Sequence, residues 1–184
     1  MATPEPPPAG RIDIAELRLA PGDVVVRELQ VTAPSYRQSG TTFRTHAEEV
    51  AAEVQVAAYD GGYDLSLRVD VELHGPCARC LGDATVPIGI TTREIHEPAA
   101  DDDELRCGFV DARLHLDAAA WLQSAVALEF PQRVLCSDSC TGLCPQCGRQ
   151  RDDGDCGCVP PETGSRWKKL RELRFDDDAG DAGE

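Results

Sequence analysis

The sequence predicts an α+β fold: an antiparallel β-meander or curved sheet with one packed helix, then a cysteine-rich segment and a short terminal helix. Three observations lead there. Leu65, Leu67, Val69, Val71 and Leu73 alternate strictly with Ser66, Arg68, Asp70 and Glu72, the period of a half-buried strand. The stretch "LDAAAWLQSAVALEFP" spaces apolar residues for a helix between a capping aspartate and a proline. Six of the nine cysteines crowd into residues 136–158.

In chain order, residues 1–10 hold four prolines and no apolar run, which predicts a disordered leader. Val24, Val25 and Val26 suggest a short strand. Val50, Ala52, Val54, Val56 and Ala58 repeat the period of two, and "DGG" at 60–62 supplies turn residues that tolerate positive φ, so a hairpin joins this run to 65–73. Val86, Ile88 and Ile90 predict the next strand, with Pro87 demanding an edge position or a bulge. Residues 97–108 read as an acidic loop. In the helix, Asp117 caps the N-terminus, Trp121, Leu122, Ala125 and Leu128 share a face, and Pro131 ends it. A last helix is expected near Ser165, with Trp167, Leu170 and Leu173 along one stripe, before an acidic tail at 176–184. Residues 11–175 are thus expected to form one domain.

Composition narrows the function. Hydrophobic residues make up 41% of the 184 and aromatics only 5%, so the core must be mostly Val, Leu, Ile and Ala. A net charge of −15 disfavours nucleic acid and anionic membrane as the main contact and suits a basic protein partner. No stretch approaches the ~20 apolar residues of a membrane span, and "MATPEPPPAG" lacks a basic segment followed by an apolar one. A soluble, cytoplasmic protein is expected. In that reducing compartment clustered cysteines read first as metal ligands.

"GLCPQCG" places Cys144 and Cys147 in a Cys-x-x-Cys turn flanked by glycines, a zinc-knuckle pattern that brings two thiolates within reach of one tetrahedral ion. Cys136 and Cys140 precede it, Cys156 and Cys158 follow it, and "GPCARCLG" offers a second pair, Cys77 and Cys80. Eight thiolates would suit two structural zincs, whereas a subset of the six would hold one; the spacing does not choose between them. A thiol-redox or zinc-dependent regulatory role for the Cys-x-x-Cys pairs is the alternative. Cys107 has no neighbour in sequence.

No catalytic constellation accompanies the cysteines. His46, His74, His96 and His115 are scattered, and the chain has no phosphate-binding loop, "HExxH" or nucleophile elbow. No enzyme activity and no small-molecule substrate are expected. One stretch runs against the acidic balance: residues 149–174 carry seven basic side chains (Arg149, Arg151, Arg166, Lys168, Lys169, Arg171, Arg174) against five acids, a candidate contact for RNA phosphates.

Taken in order, "CARCLGDATVPI", "LDAAAWLQSAVALEFPQRVLC", "CTGLCPQCG" with "CGC" beyond it, and "SRWKKLREL" resemble the YceD family, the large ribosomal RNA subunit accumulation proteins, over roughly residues 12–174. The resemblance implies a bacterial, non-enzymatic factor needed for accumulation or processing of large-subunit ribosomal RNA, with a ribosomal protein or precursor RNA as its partner. It lays the family's "CxRC" turn on Cys77 and Cys80 and its C-terminal cluster on Cys136, Cys140, Cys144, Cys147, Cys156 and Cys158. The chain departs from its relatives after Cys147, where "CGRQRDD" replaces the usual "CGxNLN".

Overall fold

The computed structural model describes residues 10–159. They divide between Cys140 and Thr141 into two compact units. Residues 1–9 of the expected leader, the Trp167 helix and the acidic tail lie outside the described residues.

The first unit is built on strands β1 (Arg11–Asp13), β2 (Val24–Thr32), β3 (Ser35–Gln38), β4 (Thr41–Arg44), β5 (Glu49–Tyr59), β6 (Gly62–Pro76), β7 (Asp83–His96) and β8 (His115–Asp117), with one helix, α1 (Ala118–Glu129). The architecture is α+β, dominated by an antiparallel sheet. β5, β6 and β7 form the expected meander, with "DGG" turning the first hairpin. β7 pairs β6 along its whole length, from Tyr63↔His96 to Pro76↔Asp83. The other edge of β6 is therefore shared in succession, by β5 up to Arg68 and by β4 at His74. β2 closes the sheet beyond β5, and β3 lies beyond β4. β1 and β8 make a separate two-stranded ribbon. Among the described strands β7 pairs only β6, so Pro87, opposite Glu72, sits on an edge where its missing N–H costs nothing.

Alternation sets the core. Val69 faces Ile90, Val71 faces Ile88 and Leu73 faces Val86 on one side of the β6–β7 ladder, and all six are buried. Helix α1 covers this side with Ala118, Trp121, Leu122, Ala125 and Val126. The Asp117 carboxylate accepts from the Ala120 N–H at 2.9 Å, the expected cap. Leu128 departs from expectation: it is 84% exposed, because the buried stripe turns through Val126 rather than continuing to 128. β2 is longer than the valine run implied, and its first half is open to solvent, with Val24 and Val26 exposed and Val31 buried.

β3 and β4 carry no clear apolar period, yet they bring Tyr36 and Phe43 onto Phe130 just past α1, with ring centroids 4.3 and 5.0 Å apart. Phe43 needs Gly75 to lie where it does, since a Cβ on Gly75 would sit 2.3 Å from Phe43 Cδ1. This aromatic wedge packs against the end of β6, two residues before Cys77. Among the described residues no helix is long and apolar enough to cross a membrane.

The second unit is described from Thr141 to Val159. It contains a β-bridge between Leu143 and Gln150 and a single 3₁₀ turn, Arg151–Asp153. The Asp152 carboxylate accepts from the Thr141 hydroxyl at 2.6 Å, and the Arg151 N–H donates to the Gly142 carbonyl at 2.9 Å. These bonds fold the short chain back on itself.

Candidate metal centres

The two Cys-x-x-Cys turns have the same backbone. In the first, the Leu81 N–H donates to the Cys77 carbonyl at 3.0 Å, and the Cys77 N–H donates to Gly82 at 2.7 Å. In the second, the Gly148 N–H donates to the Cys144 carbonyl at 2.9 Å, and the Cys144 N–H donates to Arg149 at 2.8 Å. Each turn needs a left-handed residue directly after its second cysteine: Leu81 has φ 60° and Gly148 has φ 71°. The hairpin between β6 and β7 thus ends in a knuckle of the kind "GLCPQCG" signals openly.

Each knuckle aims backbone N–H groups at its leading sulfur. Burial pushes the Cys77 thiol up, but the N–H groups of Cys80, Arg79 and Cys136 and the Cys80 side chain outweigh it and hold Cys77 down at about 6. The N–H groups of Cys147 and Gln146, with the Cys156 side chain, likewise hold Cys144 at about 6 against its burial. Cys158 moves the other way: contact chiefly with Cys147, and also with Cys156, pushes it up to about 12. Four sulfurs this close cannot all be anions unless a cation sits among them.

Among the described residues, two groups of four cysteines bring their sulfurs within 4.8 Å of one another: Cys77, Cys80, Cys136 and Cys140, and Cys144, Cys147, Cys156 and Cys158. Of the open readings, the structure thus displays a four-and-four division. Cys136 and Cys140 do not side with the nearby "CPQC" but with the β6–β7 knuckle. Among the described residues none of the eight is joined in a disulfide. Cys80 and Cys136 sulfurs are 3.6 Å apart and Cys77 and Cys140 sulfurs 3.8 Å. A zinc ion with ~2.3 Å bonds to four tetrahedral sulfurs separates them by about 3.8 Å, whereas a disulfide draws two to about 2.05 Å. Both donor sets fit a tetrahedral thiophilic ion.

The first group is held by more than its sulfurs. The Ala78 N–H donates to Val134 at 2.8 Å, which docks the segment after α1 onto the knuckle. The Arg79 guanidinium donates to the Cys140 carbonyl at 2.7 Å and to that of Asp138 at 3.4 Å. Arg79, inside "CARC", therefore clamps the loop that delivers Cys136 and Cys140 and brings a positive charge beside four thiolates. Spacing alone did not reveal this role; a basic residue between two cysteines was its only signal.

The other candidates fall outside these groups. Cys107 is buried apart from them, and burial is the main reason its thiol is raised. His46 and His74 stack with centroids 3.8 Å apart, and His115 pairs with Asp13 and Asp111. Of the basic stretch, Arg149 and Arg151 are exposed next to exposed Asp152, Asp153 and Asp155. Arg166, Lys168, Lys169, Arg171 and Arg174 lie outside the described residues, so the positive balance of 149–174 rests on that part.

The family model described as large ribosomal RNA subunit accumulation protein YceD matches residues 65–174. That span takes in both four-cysteine groups. An uncharacterized protein of Mycobacterium bovis and two uncharacterized proteins from strains of Mycobacterium tuberculosis are each 27% identical to this chain over 171 residues, covering 88% of it and 80% of their own length. No solved structure matches.

Proposed function

The chain belongs to the YceD family of large ribosomal RNA subunit accumulation proteins, and we propose that it is a non-enzymatic, cytoplasmic bacterial factor that supports accumulation or processing of that RNA by binding a basic ribosomal protein. The carrying observation is the family match across residues 65–174, which embraces most of β6, all of β7 and α1, and all eight clustered cysteines. Zinc is the cofactor this reading assigns to the two groups, one ion to each, because all-sulfur tetrahedral sets at these separations suit it and leave no open position for catalysis.

Charge favours a protein over RNA as the larger contact. Four thiolates around a divalent ion leave about −2 per site, so loaded sites make the chain more acidic than its formal −15. A basic ribosomal protein is attracted by such a surface, while RNA phosphates are repelled except at the local stretch 149–174. The thiol-redox alternative is less well supported as a primary activity, since each Cys-x-x-Cys pair faces a second pair of sulfurs, the arrangement of a closed structural site.

Tagged full-length protein sedimented with extracts of cells assembling ribosomes tests this reading. It should travel with precursors of the large subunit, and the captured ribosomal protein should remain after nuclease digestion. Absence from every precursor fraction overturns the function; loss of all partners on digestion overturns the protein contact in favour of RNA.

A further inference from the structure

The two four-cysteine groups differ in what secures them apart from their sulfurs. In the first, hereafter the sheet site, Cys77, Cys80 and Cys140 are buried, and the two pairs are brought together by the β6–β7 hairpin, the Val134 carbonyl and the Arg79 clamp. In the second, the loop site, Cys147 is exposed and Cys156 and Cys158 are half-buried. Among the described residues, the arm carrying Cys156 and Cys158 is tied to its knuckle by the Gln146 amide, which donates to the Val159 carbonyl at 2.6 Å. The Gly157 N–H turns back locally to Asp155. A cavity of about 310 Å³ is lined by Cys144, Cys156 and Cys158 together with Gln146 and Asp155, and gives small solutes a route to the sulfurs.

Resting on the zinc reading above, we infer that the loop site is an exchangeable and oxidant-sensitive zinc site, whereas the sheet site keeps its ion for as long as the sheet is folded. Opening the sheet site means undoing long-range packing, while opening the loop site means moving a short arm that has few other attachments among the described residues. The oxidant is of the peroxide class. Two thiolates of the loop site give up one electron each and join in an S–S bond; the peroxide O–O bond breaks, and two protons from solvent complete two waters. The zinc ion, left with half its thiolates, passes to solvent or to a competing chelator. The Cys156–Cys158 arm is then no longer tied through the metal to the Cys144–Cys147 knuckle, from which the chain runs on in sequence to the basic residues 166–174.

The test uses zinc-loaded full-length protein, a chromogenic zinc indicator and hydrogen peroxide, with peptide mass spectrometry after thiol alkylation. Two zinc equivalents per chain are expected, one released at least about tenfold faster than the other, since local opening is far cheaper than global unfolding. Oxidation should map to Cys144, Cys147, Cys156 and Cys158. The double variant Cys156→Ser, Cys158→Ser should retain one equivalent, show no fast release and unfold at the temperature of the parent sheet unit. Release of both ions at one rate, or oxidation of Cys77, Cys80, Cys136 and Cys140 first, overturns the inference while leaving zinc in place. Protein that takes up no zinc under reducing conditions overturns the zinc reading and this inference with it.

Discussion

The Leu81 N–H donates to the Cys77 carbonyl at 3.0 Å, and to do so Leu81 holds φ at 60° while the residue is 69% exposed. A left-handed conformation costs an ordinary L-residue about 1–2 kcal/mol, and an exposed leucine recovers little of that by packing. Gly148, in the same place in the other knuckle, avoids the strain.

Leu81→Gly should therefore stabilise the first unit. The relief of strain exceeds the extra chain entropy of glycine, leaving a gain of up to about 1 kcal/mol. Gly148→Ala should do the reverse at the loop site and weaken zinc binding there. Urea denaturation of the zinc-loaded protein reads the first and chelator competition the second; a Leu81→Gly variant less stable than its parent would contradict the geometry.

Gly75→Ala should destabilise the first unit by about 1–3 kcal/mol, the usual cost of overpacking a filled core. The added methyl would lie 2.3 Å from Phe43 Cδ1, and Phe43 cannot retreat freely because its ring packs on Phe130, which packs on Tyr36. Since Gly75 lies two residues before Cys77, zinc affinity of the sheet site should fall as well. A denaturation midpoint equal to the parent's would show that the ring moves without cost.

Much of this architecture is legible in the sequence, for reasons that differ by element. The alternation at 65–73 is read correctly because β6 has one buried and one wet face, which is what a period of two encodes. Asp117 announces α1 because a cap is a local interaction three residues long. Leu128 misleads because helical spacing does not say how wide a face the sheet will cover. β3 and β4 stay hidden because their justification is Phe130, roughly ninety residues away in "LEFP" and silent about its partners. The cysteine partition is hidden for the same reason: Cys136 lies closer in sequence to Cys144 than to Cys80, and the docking of Ala78 on Val134, with the Arg79 donations to Asp138 and Cys140, brings it to the β6–β7 knuckle.

Arg79→Met removes the donations to the Cys140 and Asp138 carbonyls while keeping the aliphatic stem. A charged hydrogen bond in an exposed setting is worth on the order of 1 kcal/mol, so the variant should still fold but bind zinc more weakly at the sheet site, by about tenfold or less. Arg79→Lys should recover only part of this, because one ammonium cannot span both carbonyls as a guanidinium does. Competition with a chelator of known affinity, compared across the three proteins, reads the order. Equal affinities would mean that Arg79 does not support the loop bearing Cys136 and Cys140.

His96 at the end of β7 should make stability fall as the pH drops below its ordinary range. The side chain is buried, and among the described residues its Nδ1 has no hydrogen-bond partner. Burial first, and then the positive charge of Arg106, lower its folded value below the usual 6.5. A folded state that resists protonation binds fewer protons than the unfolded chain, so the contribution is present above 6.5 and is lost as the pH falls through the depressed folded value. Thiolate protonation will also loosen zinc on the acid side, so wild type must be compared with His96→Gln at matched free zinc. Subtracting the two stability curves should leave a slope confined to the region below pH 6.5, with wild type losing more than the variant. Parallel curves would show that His96 is protonated in the folded protein without penalty, and a wild type that gains stability on acidification would reverse the sign.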